Sequence, residues 1–202
     1  ESALDASVSG GNNTAIGKNA LTALTSGTRN TAVGGFGLEA NTTGVDNTAL
    51  GYFALGVNTT GQYNVAVGNY SLDANTSASN NTAVGYLSLT ANSTGDNNVA
   101  VGSLALDACT TGNGNTAVGK SALTSLTTAH SNCALGDQAG EAITTGNANV
   151  AIGDEALKTS TTGSNNIAIG NDALKLATTA DNNTAIGASA LAANTTGTSL
   201  VA

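Results

Sequence analysis

Along this chain an alanine, an aliphatic residue and a glycine recur together at one fixed interval. The motif Ala-(Val/Ile/Leu)-Gly places its glycine at 17, 34, 51, 68, 85, 102, 119, 136, 153, 170 and 187. Each step is seventeen residues, with no insertion or deletion across eleven copies. Between the apolar runs lie Asn, Thr and Ser, so that a copy reads N-T-A-V-G-x-x-A-L-x-x-N-T-T-G-x-x. With the glycine as position zero, −4 is always Asn: Asn13, Asn30, Asn47, Asn64, Asn81, Asn98, Asn115, Asn132, Asn149, Asn166 and Asn183. Position −2 is always Ala and −1 is Val, Ile or Leu. Position +4 is Leu except at Gly140, +8 is Thr or Ser, and +10 is Gly or Ala.

Seventeen residues are too few for a self-sufficient domain, so each unit must bury its apolar side against its neighbours. Two strand-like stretches, N-T-A-V and A-L-x-x, separated by Gly-x-x and T-T-G corners, describe one coil of a solenoid. Helical repeats need roughly 33 residues or more, and Thr, Asn and Gly are poor helix formers. The pattern predicts an all-β fold over residues 1–202: a β-solenoid (β-roll) of about twelve 17-residue coils, in one repeat array. The glycine at zero allows a sharp corner or close approach of the next coil. The Asn at −4 is placed to stack on its counterpart one coil away and pass amide hydrogen bonds along the axis. The T-T-G hydroxyls serve turn backbone groups.

Adjacent strand residues point to opposite faces, so Ala at −2 and the aliphatic residue at −1 cannot share one interior. Thr at −3 is replaced by Val65, Val99, Val150 and Ile167 in four copies, which makes the −1 side apolar as well. A strand apolar on both faces is usually covered on both. The expectation is a homo-oligomer, a parallel homotrimer around a common axis; the alternative leaves Ala at −2 on an open surface. The 202 residues fall two short of twelve repeats. Neither end carries a charged blunting strand, so the chain reads as a segment of a longer array or as a subunit stacking end to end. The second arrangement gives a filament with a rise of roughly 57 Å per chain.

Composition narrows the function classes. Five basic and thirteen acidic residues leave a net charge of −8, without the basic footprint that phosphate neutralisation requires, so nucleic acid is not an expected partner. No apolar run approaches the ~20 residues of a membrane span, and insertion into a membrane is not expected. The run Ala117-Val118-Gly119 with Ala122-Leu123 resembles the head repeat of YadA-like trimeric autotransporter adhesins. The N-T-A-x-G-x-x-A-L-x-x-N-T-T-G pattern is more similar to the repeat arrays of phage tail-fibre and tail-spike-like proteins. That resemblance covers essentially the whole chain and implies trimeric, extended attachment structures on a virion or cell surface. The adhesin period is shorter, and no stalk, neck or membrane anchor is present here.

Chemical motifs are sparse. Gly114 to Ser121 spells G-x-x-x-x-G-K-S, a phosphate-loop pattern that works only between a strand and a long helix; here Gly119 is the repeat glycine and Lys120 a variable corner residue. Cys109 and Cys133 stand at different positions two coils apart, too offset for a disulfide, and read as buried small hydrophobes. His130 is the lone histidine, and neither a metal site nor a nucleophilic triad is indicated. The N-x-T/S triplets at Asn41, Asn58, Asn92 and Asn194 follow from the repeat. Phe36, Tyr52, Phe53, Tyr70 and Tyr86 occupy the +1 and +2 corner of four successive coils. Stacked at ~4.8 Å per coil they form an aromatic stripe suited to a glycan or a protein receptor, or to corner packing. Asp137, Asp154, Glu155 and Asp172 make the same edge acidic farther along.

The expectation is therefore a structural or attachment protein: a rigid extracellular fibre or filament segment without catalysis or cofactor, whose chief partner is itself. The alternatives are a self-assembling filament subunit, an ice-binding solenoid and a polysaccharide-binding or depolymerising fibre. For ice binding the T-T pair puts neighbouring hydroxyls on opposite faces.

Overall fold

The computed structural model describes residues 3, 4 and 9–202. Eleven three-residue strands follow one another: β1 (Thr14–Ile16), β2 (Thr31–Val33), β3 (Thr48–Leu50), β4 (Val65–Val67), β5 (Thr82–Val84), β6 (Val99–Val101), β7 (Thr116–Val118), β8 (Cys133–Leu135), β9 (Val150–Ile152), β10 (Ile167–Ile169) and β11 (Thr184–Ile186). They form one sheet in chain order. Every neighbouring pair is parallel and offset by one repeat, as in Val99↔Thr116 and Ala100↔Ala117. The molecule is a parallel β-solenoid, and eleven strands at ~4.8 Å give a sheet roughly 50 Å tall.

Among the described residues each coil contributes one strand, where the apolar pattern suggested two. The A-L-x-x stretch is a chain of turns. Its residues at +2 and +4 have positive φ, for example Phe53 at 54° and Leu55 at 51°. A bulky side chain in that region costs ~1–2 kcal/mol, whereas burying a leucine returns ~1.5–3 kcal/mol. The +4 leucines from Leu21 to Leu174 are fully buried, so burial prevails. These turns are still stitched along the axis: the Phe53 amide donates to the Gly35 carbonyl in the preceding coil, and the Leu55 amide to the Ser71 carbonyl in the next.

Gly140 is the one break in the leucine column, and its interior neighbour accounts for it. It keeps the left-handed backbone, with φ at 63°. A β-carbon there would fall 2.8 Å from Leu123 and 3.0 Å from Ile143, whose side chain fills the space a leucine takes elsewhere.

The core is narrow and built from small residues. The −2 alanines from Ala32 to Ala185 point inward and are buried, which excludes the surface placement considered for them. Position +3 lies opposite: a β-carbon built on Gly37 sits 3.6 Å from that of Ala32. The glycine at zero sets the corner. Gly102 has φ at 138°, and its missing Cβ would lie 2.3 Å from the Gly119 carbonyl oxygen, so the coils approach too closely for any side chain.

Polar ladders run through this core. The backbone N–H of each −4 Asn from Asn30 to Asn183 donates to the side-chain oxygen of the Asn one coil earlier, at 2.9–3.1 Å. The side-chain amide donates to the +10 carbonyl of the following turn, at 2.7–3.0 Å. A second ladder at +7 joins the buried Asn41, Asn58, Asn75 and Asn92 through Nδ2 to Oδ1 bonds of 2.8–3.2 Å. At +8 each hydroxyl from Thr25 to Thr178 donates to the +8 carbonyl of the next coil, at 2.9–3.3 Å.

Asn98→Leu strands the buried Asn115 amide and leaves the Gly112 carbonyl only the weak Cys109 thiol as donor, each loss worth ~1–3 kcal/mol. Urea unfolding is expected to show a loss of about 2–5 kcal/mol, whereas the exposed Thr94→Ser stays within ~0.5 kcal/mol.

Candidate functional site

Because the −2 alanines turn inward, positions −3 and −1 turn outward on every strand. The outer face of the sheet therefore carries two columns along its whole height: Thr, Val, Ile or Cys at −3, and Val, Leu or Ile at −1. None of its twenty-two side chains is charged, in a chain of net charge −8. Leu50 is 38% and Leu135 48% exposed, and the other −1 residues of β2 to β10 are half-buried by their neighbours in the column. Cys133 lies on this face, half-buried, which corrects its reading as a core residue. Cys109 is inside, where burial pushes its thiol up to about 11. Both are free.

The corner after each strand carries the aromatic residues. Phe36, Phe53 and Tyr70 stand at +2 in successive coils with nearly parallel rings, centroids 4.7 and 5.9 Å apart. Tyr52, at +1, crosses all three at 76–84° with centroids 4.9–5.6 Å away. The Lys18 ammonium sits 5.2 Å from the Phe36 ring centroid, over one end of the stack. Its neighbour in the +1 column, Gly35, is near enough that a β-carbon there would touch the Tyr52 ring at 3.4 Å. Tyr86 takes no part in this cluster. The structure thus brings four of the five stripe residues together and leaves Tyr52 and Tyr86 42% and 54% exposed.

Toward the C-terminus the same corner is less acidic than its composition suggests. Glu155 at +2 pairs with Lys158 at 2.5 Å and with Lys175. Lys175 also meets Asp172 at 2.9 Å, and Lys158 meets Glu141 at 3.7 Å. Positions +2 and +5 adjoin across the turn, which spacing in a strand would not show. Hydrogen bonds from the two ammonium groups pull the Glu155 carboxyl down to about 2. Asp73, half-buried beside the aromatic cluster, shifts the other way because burial disfavours its charge.

A further polar column went unread in the sequence. At −6 the amides of Gln62, Ser79, Asp96, Asn113, His130, Asn147 and Ser164 each donate to the side chain one coil on, at 2.6–3.1 Å. His130 accepts through Nδ1, so this lone histidine is a rung of the ladder. The recurrence of short acceptor side chains at −6 is the signal that marks it. The phosphate-loop letters fall on β7 and the turn after it, where no helix begins. Among the described residues no group of three His, Cys, Asp or Glu could hold a metal ion. Asn41, Asn58 and Asn92 are fully buried, inaccessible to glycosylation in the folded coil.

Comparison with protein-family models, with curated proteins and with solved structures finds no match. The outer sheet face and the aromatic corner are the two surfaces on which the molecule departs from plain coil packing.

The Glu155 shift has a definite sign. A carboxyl whose folded value is depressed contributes stability above its unfolded value near 4.5 and loses it as pH falls toward about 2. Thermal melting between pH 6 and pH 2 is expected to show a steeper fall for the native chain than for Glu155→Gln, and the difference should shrink in high salt because the pairs face solvent.

Proposed function

We propose that this chain is a stiff structural rod that assembles with copies of itself, its outer sheet faces turned inward around a common axis, and that it serves in attachment. The observation that carries the reading is the uncharged outer face running the full height of the sheet, with an unbroken aliphatic column at −1 beside a Thr, Val, Ile or Cys column at −3. Parallel sheets are generally covered on both sides, and the only cover the coil itself provides is on the alanine side. Three copies around the axis let each face meet two neighbours. The face measures roughly 50 Å by 10 Å, so three of them together remove roughly 1,500 Å² from solvent when the three copies assemble.

Position by position, the repeated residues serve the coil: Asn at −4 and Thr at +8 are engaged in axial hydrogen bonds. The +8 hydroxyls are thereby committed internally, which weighs against an ordered-water array at that corner. The rod presents only its corners to other molecules, where many weak contacts gain strength by multivalency. The setting we assign, outside the cell on a virion or cell surface, follows the similarity of the repeat to tail-fibre and adhesin-head arrays.

Light scattering is expected to give three times the 19.4 kDa chain mass, with Cys133 protected from a thiol reagent. Val101→Lys together with Val118→Lys should release single chains of unchanged circular dichroism in which Cys133 reacts at least tenfold faster. A native chain at single-chain mass with Cys133 fully reactive would refute the assembly.

A further inference from the structure

The +1 column has an order that corner packing does not explain. Along the axis it runs Gly35, Tyr52, Asn69, Tyr86, Ser103: beyond the glycine, ring and hydrogen-bonding side chain alternate, one per coil. Tyr52 and Tyr86 are both exposed and lie two coils apart, roughly 9.6 Å. Asn69, between them, is exposed and has its Oδ1 fixed by the Tyr52 amide at 3.0 Å, which leaves Nδ2 as its available donor. The three rings behind Tyr52 hold it in place, so little ordering remains to be done on binding. These five positions and the adjoining Phe36, Phe53, Tyr70, Leu87 and Leu104 carry no charge; Lys18 and Lys120 bound the stretch in the +1 column, one at each end.

We propose that this column is a binding track for an extended, uncharged, β-linked polysaccharide lying parallel to the solenoid axis. Such a chain advances by close to one coil spacing per sugar and repeats every two. One pyranose in two then places its C–H face on a tyrosine, and the sugar between them offers hydroxyls to Asn69. A protein partner needs a broad patch of at least several hundred square ångströms. The column is instead a ridge one or two side chains wide. In the +1 column the cations Lys18 and Lys120 lie two coils beyond Tyr52 and Tyr86 respectively, with Lys18 set over Phe36. An anionic glycan would thus meet them only at the ends of the track, and an α-linked helical glucan would curve off a straight track. This inference deepens the attachment reading and rests on it, but does not depend on assembly through the sheet.

The test is NMR titration with cellohexaose, and with maltohexaose as the α-linked comparator. The four tyrosine rings serve as reporters in a chain without tryptophan. Tyr86→Ala, which disturbs no ring pair, and Tyr52→Leu combined with it are the variants. Circular dichroism and light scattering of each sample report folding and assembly separately. The expected result is cellohexaose binding that shifts the Tyr52 and Tyr86 resonances, at least tenfold tighter than maltohexaose. Tyr86→Ala should weaken it several-fold and the double variant at least tenfold, with mass and circular dichroism unchanged. No binding by the native chain, equal binding of both sugars, or unaltered binding by a folded double variant overturns the proposal. So does burial of Tyr52 and Tyr86 only on addition of a protein partner. Loss of assembly with binding retained would instead remove the trimer and leave the track standing.

Discussion

The amide of each −4 asparagine does two jobs at once, and the solenoid is organised around that fact. Its oxygen accepts the backbone N–H of the same residue one coil on, while its nitrogen donates to a corner carbonyl on the next turn. A buried amide left unpaired costs ~1–3 kcal/mol, so a coil out of register by a single residue loses both bonds and places a different side chain in the interior. Identical residues must therefore lie above one another. The invariant period, the small inward alanine and the glycine corner all follow from that demand. Repeat folds of this kind draw their stability from nearest-neighbour contacts, and here those contacts include polar ladders at −4, +7, +8 and −6 alongside the leucine column.

Such a core explains an unusual composition. With β-carbons facing one another at about the contact distance seen between Gly37 and Ala32, there is no room across the strand end of the coil for Phe or Met. Larger side chains enter only at +4 and +7. In the one coil where +4 is glycine, Gly140, the Ile143 side chain at +7 occupies the space beside it. The aromatic residues are consequently displaced to the corner, where they pack on each other along the axis. Surface chemistry in this molecule is thus a matter of which corner positions vary from coil to coil.

Much of this architecture was legible in the sequence, because a strict period marks which residues share a column. The Asn13 to Asn183 column and the corner placement of Phe36, Tyr52, Phe53 and Tyr70 could be read from it directly. The second strand could not. Leucine disfavours positive φ, so an Ala-Leu pair reads as extended until the neighbouring coil shows that it is a turn. The same omission hid the lysine pairs, since Lys158 and Lys175 reach Glu155 only because the chain folds back between +2 and +5. Strand alternation separates −2 from −1, yet it does not say which side is the interior. That choice required the +3 residue opposite, and it also decides that Cys133 lies outside and Cys109 within.

Native-state hydrogen exchange at the −4 asparagine amides tests the central claim, that axial side-chain ladders hold the coils. If they do, protection of these amides rises inward from both ends and reaches its plateau at Asn98 and Asn115, where exchange requires disruption of the whole stack. Exchange of the Asn98 and Asn115 amides at the rate of exposed corner amides would show that the ladder opens locally and carries little of the stability.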